Sequence, residues 1–344
     1  MLLEGLHLPL TTPFHPDGRL NLRKLEFNAA RYSKTPAAGL VVLGEWGEAN
    51  LLSDDETRLA LETAIAAAIP EKVMLAGVSR DSVVETLRLT DCAAAAGYDA
   101  VLVKVPAILA RRRELMTYFR AVADRAALPV VLESDGMLSV AMAIELAEHP
   151  GIIGLVDGGG QSARVAALRV GTAVVKREVT VTAVFAAVTG RMLARSAAES
   201  KTTLLASESL TGGGAMVAAA PARAGLKTRT KTVGFQVLAG GTAGMLESLE
   251  AGAVGAMPGF ASCAPQAVYE VLAAWKDGDP GLAREKQERI EAVGQLAEQE
   301  LGVAGIKYGA DLTGYFGGVP RLPWLPLNGA ERGEIEALMQ GLRS

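Results

Sequence analysis

The 344-residue chain has few of the residues on which several classes of protein depend. Its two cysteines, Cys92 and Cys263, lie far apart in apolar runs, which favours free thiols over a disulfide framework. Its three histidines share no helical or metal-ligand spacing, so their placement does not predict a zinc site. No cofactor is predicted from these residues.

Long apolar runs and an excess of positive charge are also missing. No stretch approaches eighteen uninterrupted apolar residues, and the amino terminus lacks a basic region followed by an apolar one. The sequence therefore predicts a soluble, cytoplasmic protein with no membrane contact. With 34 Lys and Arg against 38 Asp and Glu, the net charge of −4 provides no general attraction for nucleic acid.

What the chain does contain is an alternation of short apolar runs with amphipathic stretches of helical length, which is typical of βα units. Six such units are complete by about residue 172, and "FQVLAGG" and "AVGAMPGF" then supply a seventh and an eighth strand. Eight parallel units predict an α/β fold of the closed (β/α)8 barrel type over residues 1–258. A C-terminal helical extension is predicted over residues 259–344.

Residues 173–234 interrupt the regular spacing and are interpreted as an insertion between units six and seven. Within it, "VTAVFAAVTGRMLARSAA" (181–198) predicts a helix. The stretch "TTLLASESLTGGGA" (202–215) predicts a strand and a glycine-rich loop, and the basic "LKTRTKTVGF" (226–235) predicts a solvated connection. The glycine run lacks the spaced glycines and the lysine of a P-loop, so it indicates a connection rather than a phosphate site.

The carboxyl ends of the strands are where such barrels hold their active sites, because loops there vary without disturbing the packed interior. Residues that close the strands or follow them are therefore the candidates for a pocket lining. They are Thr11, Thr12, Gly44, Glu45, Trp46, Glu48, Glu133, Val156, Asp157 and Gly240.

Several of these strand ends belong to motifs that follow one another in a familiar order. The motifs are "PLTTPFHPDGRLN", "GEWGEANLLSDDE", "LAGVSRDS", "AGYDAVLVKVP", "GIKYGADL" and "RLPWLPL". Together they resemble the dihydrodipicolinate synthase and N-acetylneuraminate lyase family of class I aldolases, over nearly the whole chain outside residues 173–234. The resemblance implies a (β/α)8 barrel, a pyruvate-dependent lyase or aldolase by descent, and a homo-oligomer, either a dimer or a tetramer.

The resemblance also implies which positions carry the family's chemistry, and here this chain departs from the pattern. Family members bind a pyruvate-type substrate as a Schiff base to a lysine that ends the sixth strand, and "GLVD" puts Val156 at that position. A valine has no lone pair with which to attack a carbonyl. Glu133 matches the family's tyrosine, Glu45 matches a threonine, and no arginine lies between Glu133 and Asp157 to hold a substrate carboxylate.

These departures predict a pseudoenzyme, such as a scaffold or regulatory subunit that self-associates or pairs with an active paralogue. Two lysines are weighed against this hypothesis as relocated nucleophiles. Alternation along "VLVKVP" indicates that Lys104 points toward the helices, and Lys307 of "GIKYG" lies in a late helix where a structural role is predicted. Glu48 is predicted to hold its own loop through backbone N–H groups.

Three carboxylates, Glu45, Glu133 and Asp157, end strands two, five and six. Like charges do not share a dry pocket unpaired, so they require a metal ion with oxygen ligands, an amine, or raised pKa values. The alternatives are therefore a metal-binding or small-molecule-binding barrel, an enzyme with a redirected carboxylate-based site, or acids paired with the arginines 111–113. Trp46 is predicted to fill the space left by the smaller family residue.

Overall fold

The computed structural model describes residues 1–198 and 225–342 of the chain. Its strands are β1 (Gly5–Pro9), β2 (Gly39–Val42), β3 (Val73–Gly77), β4 (Ala100–Lys104), β5 (Val130–Ser134), β6 (Ile152–Asp157), β7 (Arg177–Thr182), β8 (Thr228–Val233), β9 (Gln236–Ala239) and β10 (Gly255–Ala256). All except β7 and β8 close into one barrel of parallel strands, in the order β1, β2, β3, β4, β5, β6, β9, β10. The predicted eight-stranded barrel is confirmed.

Helices cover the outside of this barrel and continue past its last strand. They are α1 (Leu22–Tyr32), α2 (Asp54–Ala67), α3 (Val83–Ala96), α4 (Arg112–Ala123), α5 (Val140–Ala147), α6 (Ser162–Gly171), α7 (190–198), α8 (Met245–Glu250), α9 (Pro265–Lys276), α10 (Pro280–Gln295), α11 (Gly302–Leu312) and α12 (Gly329–Met339). The C-terminal helices are as predicted, and both cysteines are free thiols. The division into domains at residue 258 stays a prediction.

Local signals in the sequence fix the ends of several of these helices. Ser53 and Glu56 form a reciprocal capping box at the start of α2. At the start of α3 the side chain of Ser82 accepts from Glu85 N–H, but the box is not reciprocal, because the carboxylate of Glu85 pairs with Arg88 at 2.8 Å instead of returning to the backbone. Gly97 ends α3 in the left-handed conformation, with φ of 93°.

Each barrel strand is buried on both faces. In β4, Ala100 and Leu102 belong to the apolar cluster inside the barrel, whereas Val101 and Val103 pack in the larger cluster between barrel and helices. Parallel strands covered by helices are apolar on both sides for this reason. As a result, the sequence of such a strand does not reveal which of its alternate residues face inward.

The described part of the insertion forms an antiparallel hairpin of β7 and β8, paired from Arg177↔Val233 to Thr182↔Thr228. The predicted helix over 181–198 is therefore wrong in its first half, where β7 ends and a turn follows, and right from residue 190 onward. The predicted solvated connection over 226–235 is wrong as well, since it contains β8. Both strands alternate polar with β-branched residues, which favours the extended conformation. The predicted strand and glycine loop at 202–215 lie outside the described residues.

This hairpin packs against the amino-terminal end of the barrel. Val179, Val181 and Val233 form an apolar cluster with Leu2, just before β1. Polar contacts reach the segments that precede other barrel strands, because Thr189 donates to the carbonyl of Pro70 at 2.6 Å, Gly190 N–H donates to Asp99 at 3.2 Å, and Arg177 donates to the carbonyls of Ala147 and His149 at 2.7 and 2.8 Å. The described part of the insertion therefore lies at the end of the barrel opposite to the strand ends that the sequence selects.

Candidate functional site at the barrel mouth

Lys104, the last residue of β4, points into the barrel. In the register of the sheet it pairs with Glu133 of β5. Continuing around the barrel in the same row, Glu133 pairs with Val156 of β6, and Val156 pairs with Leu238 of β9. Residues aligned across parallel strands share one face of the sheet, and both Val156 and Leu238 belong to the cluster inside the barrel. The prediction that Lys104 faces the helices is therefore wrong, because both faces of β4 are apolar and the phase of its alternation was read incorrectly.

The amine of Lys104 lies between two carboxylates. Its Nζ is 2.8 Å from Oε1 of Glu45, in the turn after β2, and 2.9 Å from Oδ2 of Asp135, just after β5. The side chains of Lys104 and Glu45 are each 34% exposed, so the pair is open to solvent. Burial works against the charge on Lys104, but the attraction and hydrogen bonds of Glu45 and Asp135 outweigh it and raise the pKa of the amine.

Glu133 completes this group, which we call the Lys104 cluster: Lys104, Glu45, Glu133 and Asp135. Glu133 is only 5% exposed. Burial, together with repulsion from Glu45 and Asp135, raises the pKa of its carboxyl to about 8, although Lys104 and the backbone N–H of Glu45 oppose the rise. Near neutral pH the carboxyl is therefore mostly protonated, and it can donate a proton into the barrel mouth.

Asp157 does not join the cluster. It follows Val156 in β6, and consecutive strand residues point to opposite faces, so its side chain is directed at the helix layer. There its Oδ1 lies 2.7 Å from Nε of Arg164 on α6, and Arg164 also donates to the carbonyl of Leu138. Burial raises the pKa of Asp157, with Arg164 opposing and Asp135 adding to the rise.

The predicted metal site of Glu45, Glu133 and Asp157 is consequently not assembled. Two of its members face the barrel mouth and the third faces a buried arginine. Across residues 1–198 and 225–342, no group of three or more His, Cys, Asp or Glu side chains is arranged to hold a metal ion. Arg111 and Arg112 have other partners, because Arg111 pairs with Glu114 and Arg112 with Glu145.

The residues after β1 and β2 shape one side of the mouth. The hydroxyl of Thr12 donates to the carbonyl of Gly47 at 2.6 Å, and the hydroxyl of Thr11 is buried without a hydrogen-bond partner among the described residues. Gly44 precedes a single 3₁₀ turn over Glu45–Gly47. Trp46 of this turn packs on the backbone of Gly259, where an added Cβ would come within 2.5 Å of the indole.

Glu48 ties the same loop to the C-terminal helices. Its Oε1 accepts from the backbone N–H of Arg321 at 2.8 Å, and its Oε2 pairs with Nζ of Lys307. The prediction that Glu48 binds N–H groups of its own loop is therefore wrong, because its carboxylate reaches a segment 273 positions away. The side chains of Glu48 and Lys307 are both 0% exposed, and Lys307 also donates to the carbonyl of Val319 at 3.0 Å. Burial lowers the pKa of Lys307 while Glu48 opposes the change. The predicted structural role of Lys307 agrees with this geometry.

Sequence reasoning missed two acids at the mouth. Asp135 lies two residues beyond Glu133, and its place in an irregular loop gave no periodic signal. Glu298 lies in a π-helical turn over Leu296–Glu300, far along the chain, and accepts from Thr242 N–H at 2.8 Å, the Thr242 hydroxyl at 2.7 Å and Phe260 N–H at 2.8 Å. It therefore connects the C-terminal helices to the loops after β9 and β10. Such π-turns are common at functional sites.

Gly240 lies where β9 ends beside β6. Its N–H donates to the carbonyl of Asp157 at 2.9 Å, and a Cβ at this position would lie 2.9 Å from the same carbonyl oxygen. A glycine is required here because the two strand ends approach too closely for a side chain.

Comparisons with known proteins agree with this architecture. The family model described as the dihydrodipicolinate synthetase family matches residues 2–183 and 216–342. The chain is 27% identical over 347 residues to a 4-hydroxy-tetrahydrodipicolinate synthase of Acidiphilium cryptum (strain JF-5), covering 99% of each protein. It is 26% identical over 356 residues to an L-threo-3-deoxy-hexylosonate aldolase of Hypocrea jecorina, covering 98% of this chain and 95% of the aldolase.

A solved structure shares the fold. The crystal structure of YagE, a prophage protein of the dihydrodipicolinic acid synthase family from E. coli K12 in complex with pyruvate, superposes with a TM-score of 0.76 at 23% identity, covering 100% of this chain and 99% of that one. Within the described residues, no helix has the length and apolar character needed to cross a membrane. Since the family model spans both the barrel and the C-terminal helices, the chain belongs to the dihydrodipicolinate synthetase family.

Proposed function

We propose that this lyase-family protein does not perform the family's Schiff-base reaction with pyruvate at strand β6, and that it is a pseudoenzyme for that reaction. The sequence resemblance assigns Val156 to the lysine position, Glu133 to the tyrosine position and Glu45 to a threonine position. Losing the nucleophile and the phenol together removes both the covalent step and its proton transfer.

The observation that carries this proposal is the environment of Val156. Its side chain is 2% exposed in the cluster inside the barrel, aligned with Glu133 on one side and Leu238 on the other. The sixth strand therefore presents a hydrocarbon side chain at this position, and Val156 offers no amine to a substrate carbonyl.

The charges at the mouth support the proposal. Lys104 contributes one positive charge and Glu45 and Asp135 contribute two negative charges, while Glu133 is mostly neutral at pH 7. One positive and two negative charges give the mouth a net charge of about −1, which disfavours binding of the carboxylate of a keto acid. The neighbouring Arg164 is already bound to Asp157 and to the carbonyl of Leu138.

Reductive trapping with pyruvate tests the proposal. The purified protein is incubated with pyruvate and sodium borohydride, and its intact mass is compared with that of the Acidiphilium cryptum relative treated in parallel. We expect an adduct on the relative and none on this protein. A stoichiometric pyruvate adduct on this protein would overturn the proposal, and peptide mapping would identify the reacting lysine.

A non-catalytic role requires a partner, and the family resemblance suggests a homo-oligomer or assembly with an active paralogue. Co-expression with such a paralogue followed by native mass spectrometry separates the two. Mixed oligomers would support a regulatory subunit, whereas homo-oligomers alone would leave self-association as the role. The alternative of a redirected carboxylate-based site is favoured by one observation, the buried and protonatable Glu133 beside an amine.

A further inference from the structure

The hairpin of β7 and β8 covers one side of a cavity at the amino-terminal end of the barrel, opposite to the mouth. The volume of this cavity is about 370 Å³, within the range of about 300–1,000 Å³ that small-molecule sites occupy. Its lining includes the turn at 184–187, Glu4, Lys72 and Lys276, and we call it the hairpin cavity. We propose that the hairpin cavity binds a small monocarboxylate with an apolar body. This goes beyond the proposed function, which concerns the mouth.

Apolar side chains from both the hairpin and the barrel line the cavity. Val184 and Phe185 contribute from the turn after β7, and Leu2 and Leu272 contribute from the segment before β1 and from α9. Val184 is 82% exposed and Phe185 is 51% exposed. Large apolar side chains left at the surface beside a cavity favour a ligand with an apolar body, because covering them removes apolar area from water.

Hydrogen bonds hold the turn after β7 in one conformation. Thr182 N–H donates to the carbonyl of Ala186 at 2.8 Å, Phe185 N–H donates to the carbonyl of Thr182 at 3.0 Å, and Ala186 N–H donates to the Thr182 hydroxyl at 3.1 Å. Phe185 has a φ of 61°, which is uncommon for a residue with a Cβ. The turn therefore presents its aromatic ring as a preorganised wall, and ordering this wall costs little when a ligand binds.

Lys72 places an ammonium group with an unused donor in the lining. The residue is 9% exposed, and its Nζ donates to the carbonyls of Thr35 at 2.7 Å and Ala37 at 2.6 Å. An ammonium group has three donors, so one lacks an acceptor among the described residues. Burial lowers the pKa of Lys72, with Glu71 opposing the change. A ligand carboxylate would accept the third hydrogen bond and compensate the buried charge.

The charges around the cavity select an anion. Both carboxylates of the lining, Glu4 and Glu71, pair with basic residues of the insertion. Lys72 and Lys276 form no ion pair with any residue of 1–198 or 225–342, so the lining keeps an excess of positive charge. The hairpin cavity therefore attracts a carboxylate, whereas the mouth, with its net charge of about −1, disfavours one.

The experiment compares three ligands that share a six-carbon chain and differ in the head group: hexanoate, hexanol and hexylamine. At about 30 Å³ for each atom, the volume that a molecule of liquid water occupies, the cavity holds about twelve non-hydrogen atoms, which is sufficient for hexanoate. Isothermal titration calorimetry of the full chain gives the stoichiometry and the affinity. We expect one hexanoate per chain, bound at least about tenfold more tightly than hexanol or hexylamine.

Four variants locate the site. Lys72→Met should weaken hexanoate binding at least about tenfold, because it removes the unused donor. Lys276→Gln should weaken binding about two- to fivefold, since its charge is exposed, and Lys176→Gln, at an exposed lysine outside the lining, should leave it unchanged. Phe185→Gly removes the aromatic wall without straining the turn, because glycine adopts positive φ freely, and should weaken binding about fivefold.

The outcomes that contradict the inference are distinct. Absence of saturable hexanoate binding would overturn it and leave the proposed function standing, since that function concerns pyruvate and Val156. Equal affinities for the three ligands would overturn the choice of a carboxylate. Binding that is lost in Lys104→Met and kept in Lys72→Met would place hexanoate in the mouth and overturn the assigned site. If Lys72→Met fails to fold, unchanged affinity in both Lys276→Gln and Phe185→Gly overturns the inference.

Discussion

Two ion pairs start from the same short loop after β2 and have opposite environments. Glu45 pairs with Lys104 at the barrel mouth, with both side chains 34% exposed. Glu48, three residues later, pairs with Lys307 of the C-terminal helices, with both side chains 0% exposed. The same two residue types therefore serve different purposes. A buried pair connects two segments, and losing one partner lowers the free energy of unfolding substantially because the other charge stays buried. An exposed pair contributes little, and its amine can exchange partners.

The largest effect that would test this comparison comes from Lys307→Met. It leaves the Glu48 carboxylate buried without its cation, and we expect the free energy of unfolding to fall by about 3–5 kcal/mol. Urea denaturation followed by circular dichroism gives the measurement, with Lys104→Met as the matched control. Equal losses in the two variants would contradict the distinction between the pairs.

A second prediction concerns Glu133, the buried member of the Lys104 cluster. Its pKa is about 8 in the folded protein and 4.5 in the reference state, so between these values the folded chain keeps a proton that the unfolded chain has released. The free energy of unfolding therefore falls as pH rises through this window, by up to about 1.4 kcal/mol per pH unit. Glu133→Gln cannot ionise and should flatten the dependence.

Denaturant midpoints measured between pH 5 and pH 8 test this expectation. Glu62→Gln serves as the control, since it removes an exposed carboxylate outside the Lys104 cluster. If wild-type protein and Glu133→Gln showed the same dependence of stability on pH over this range, Glu133 would not hold its proton in the folded state and the expectation would be wrong.

A third prediction concerns Glu298, which connects the C-terminal helices to the loops after β9 and β10. Glu298→Ala leaves the N–H groups of Thr242 and Phe260 without their acceptor. We expect a loss of about 1–3 kcal/mol in the free energy of unfolding. Hydrogen exchange at these two amides should increase more than exchange in β3, and unchanged protection at both would contradict the role assigned to the carboxylate.

The smallest effect is expected from Glu45→Gln. Because the Glu45–Lys104 pair is exposed and Asp135 remains as a partner for the amine, the free energy of unfolding should change by less than about 1 kcal/mol. The measurement is the same urea titration. A loss as large as that of Lys307→Met would show that the mouth, too, depends on its ion pair for folding.

The barrel could be predicted from the sequence because its period is repeated along the chain. Apolar strands alternating with capped helices leave few other architectures, and Ser53 or Gly97 mark helix ends by local rules. The orientation of Lys104 could not be predicted, since β4 is apolar on both faces and a phase error of one residue moves the lysine from outside to inside. Asp157 was placed in the mouth for the same reason.

Contacts between distant segments also lay beyond the sequence. Lys307 and Glu48 are 259 positions apart, and Glu298 reaches Thr242 from a turn with no regular pattern. The number of positions between two residues in the sequence does not give the distance between them in the folded protein. Only the last two residues of β7 fall within the predicted helix, whereas all of β8, with its alternation of polar and β-branched residues, falls within the predicted connection.

The position of that hairpin has a consequence for how the molecule tolerates change. The hairpin of β7 and β8 lies on the side of the barrel where β1 begins, and the row of Lys104, Glu133 and Val156 lies where β4, β5 and β6 end. The barrel strands separate the two regions, so neither supplies the contacts that position the other. The two ends of this barrel can therefore change independently in sequence. The amino-terminal end can change in the hairpin that packs on it, and the carboxyl-terminal end can change in the side chains that line its mouth.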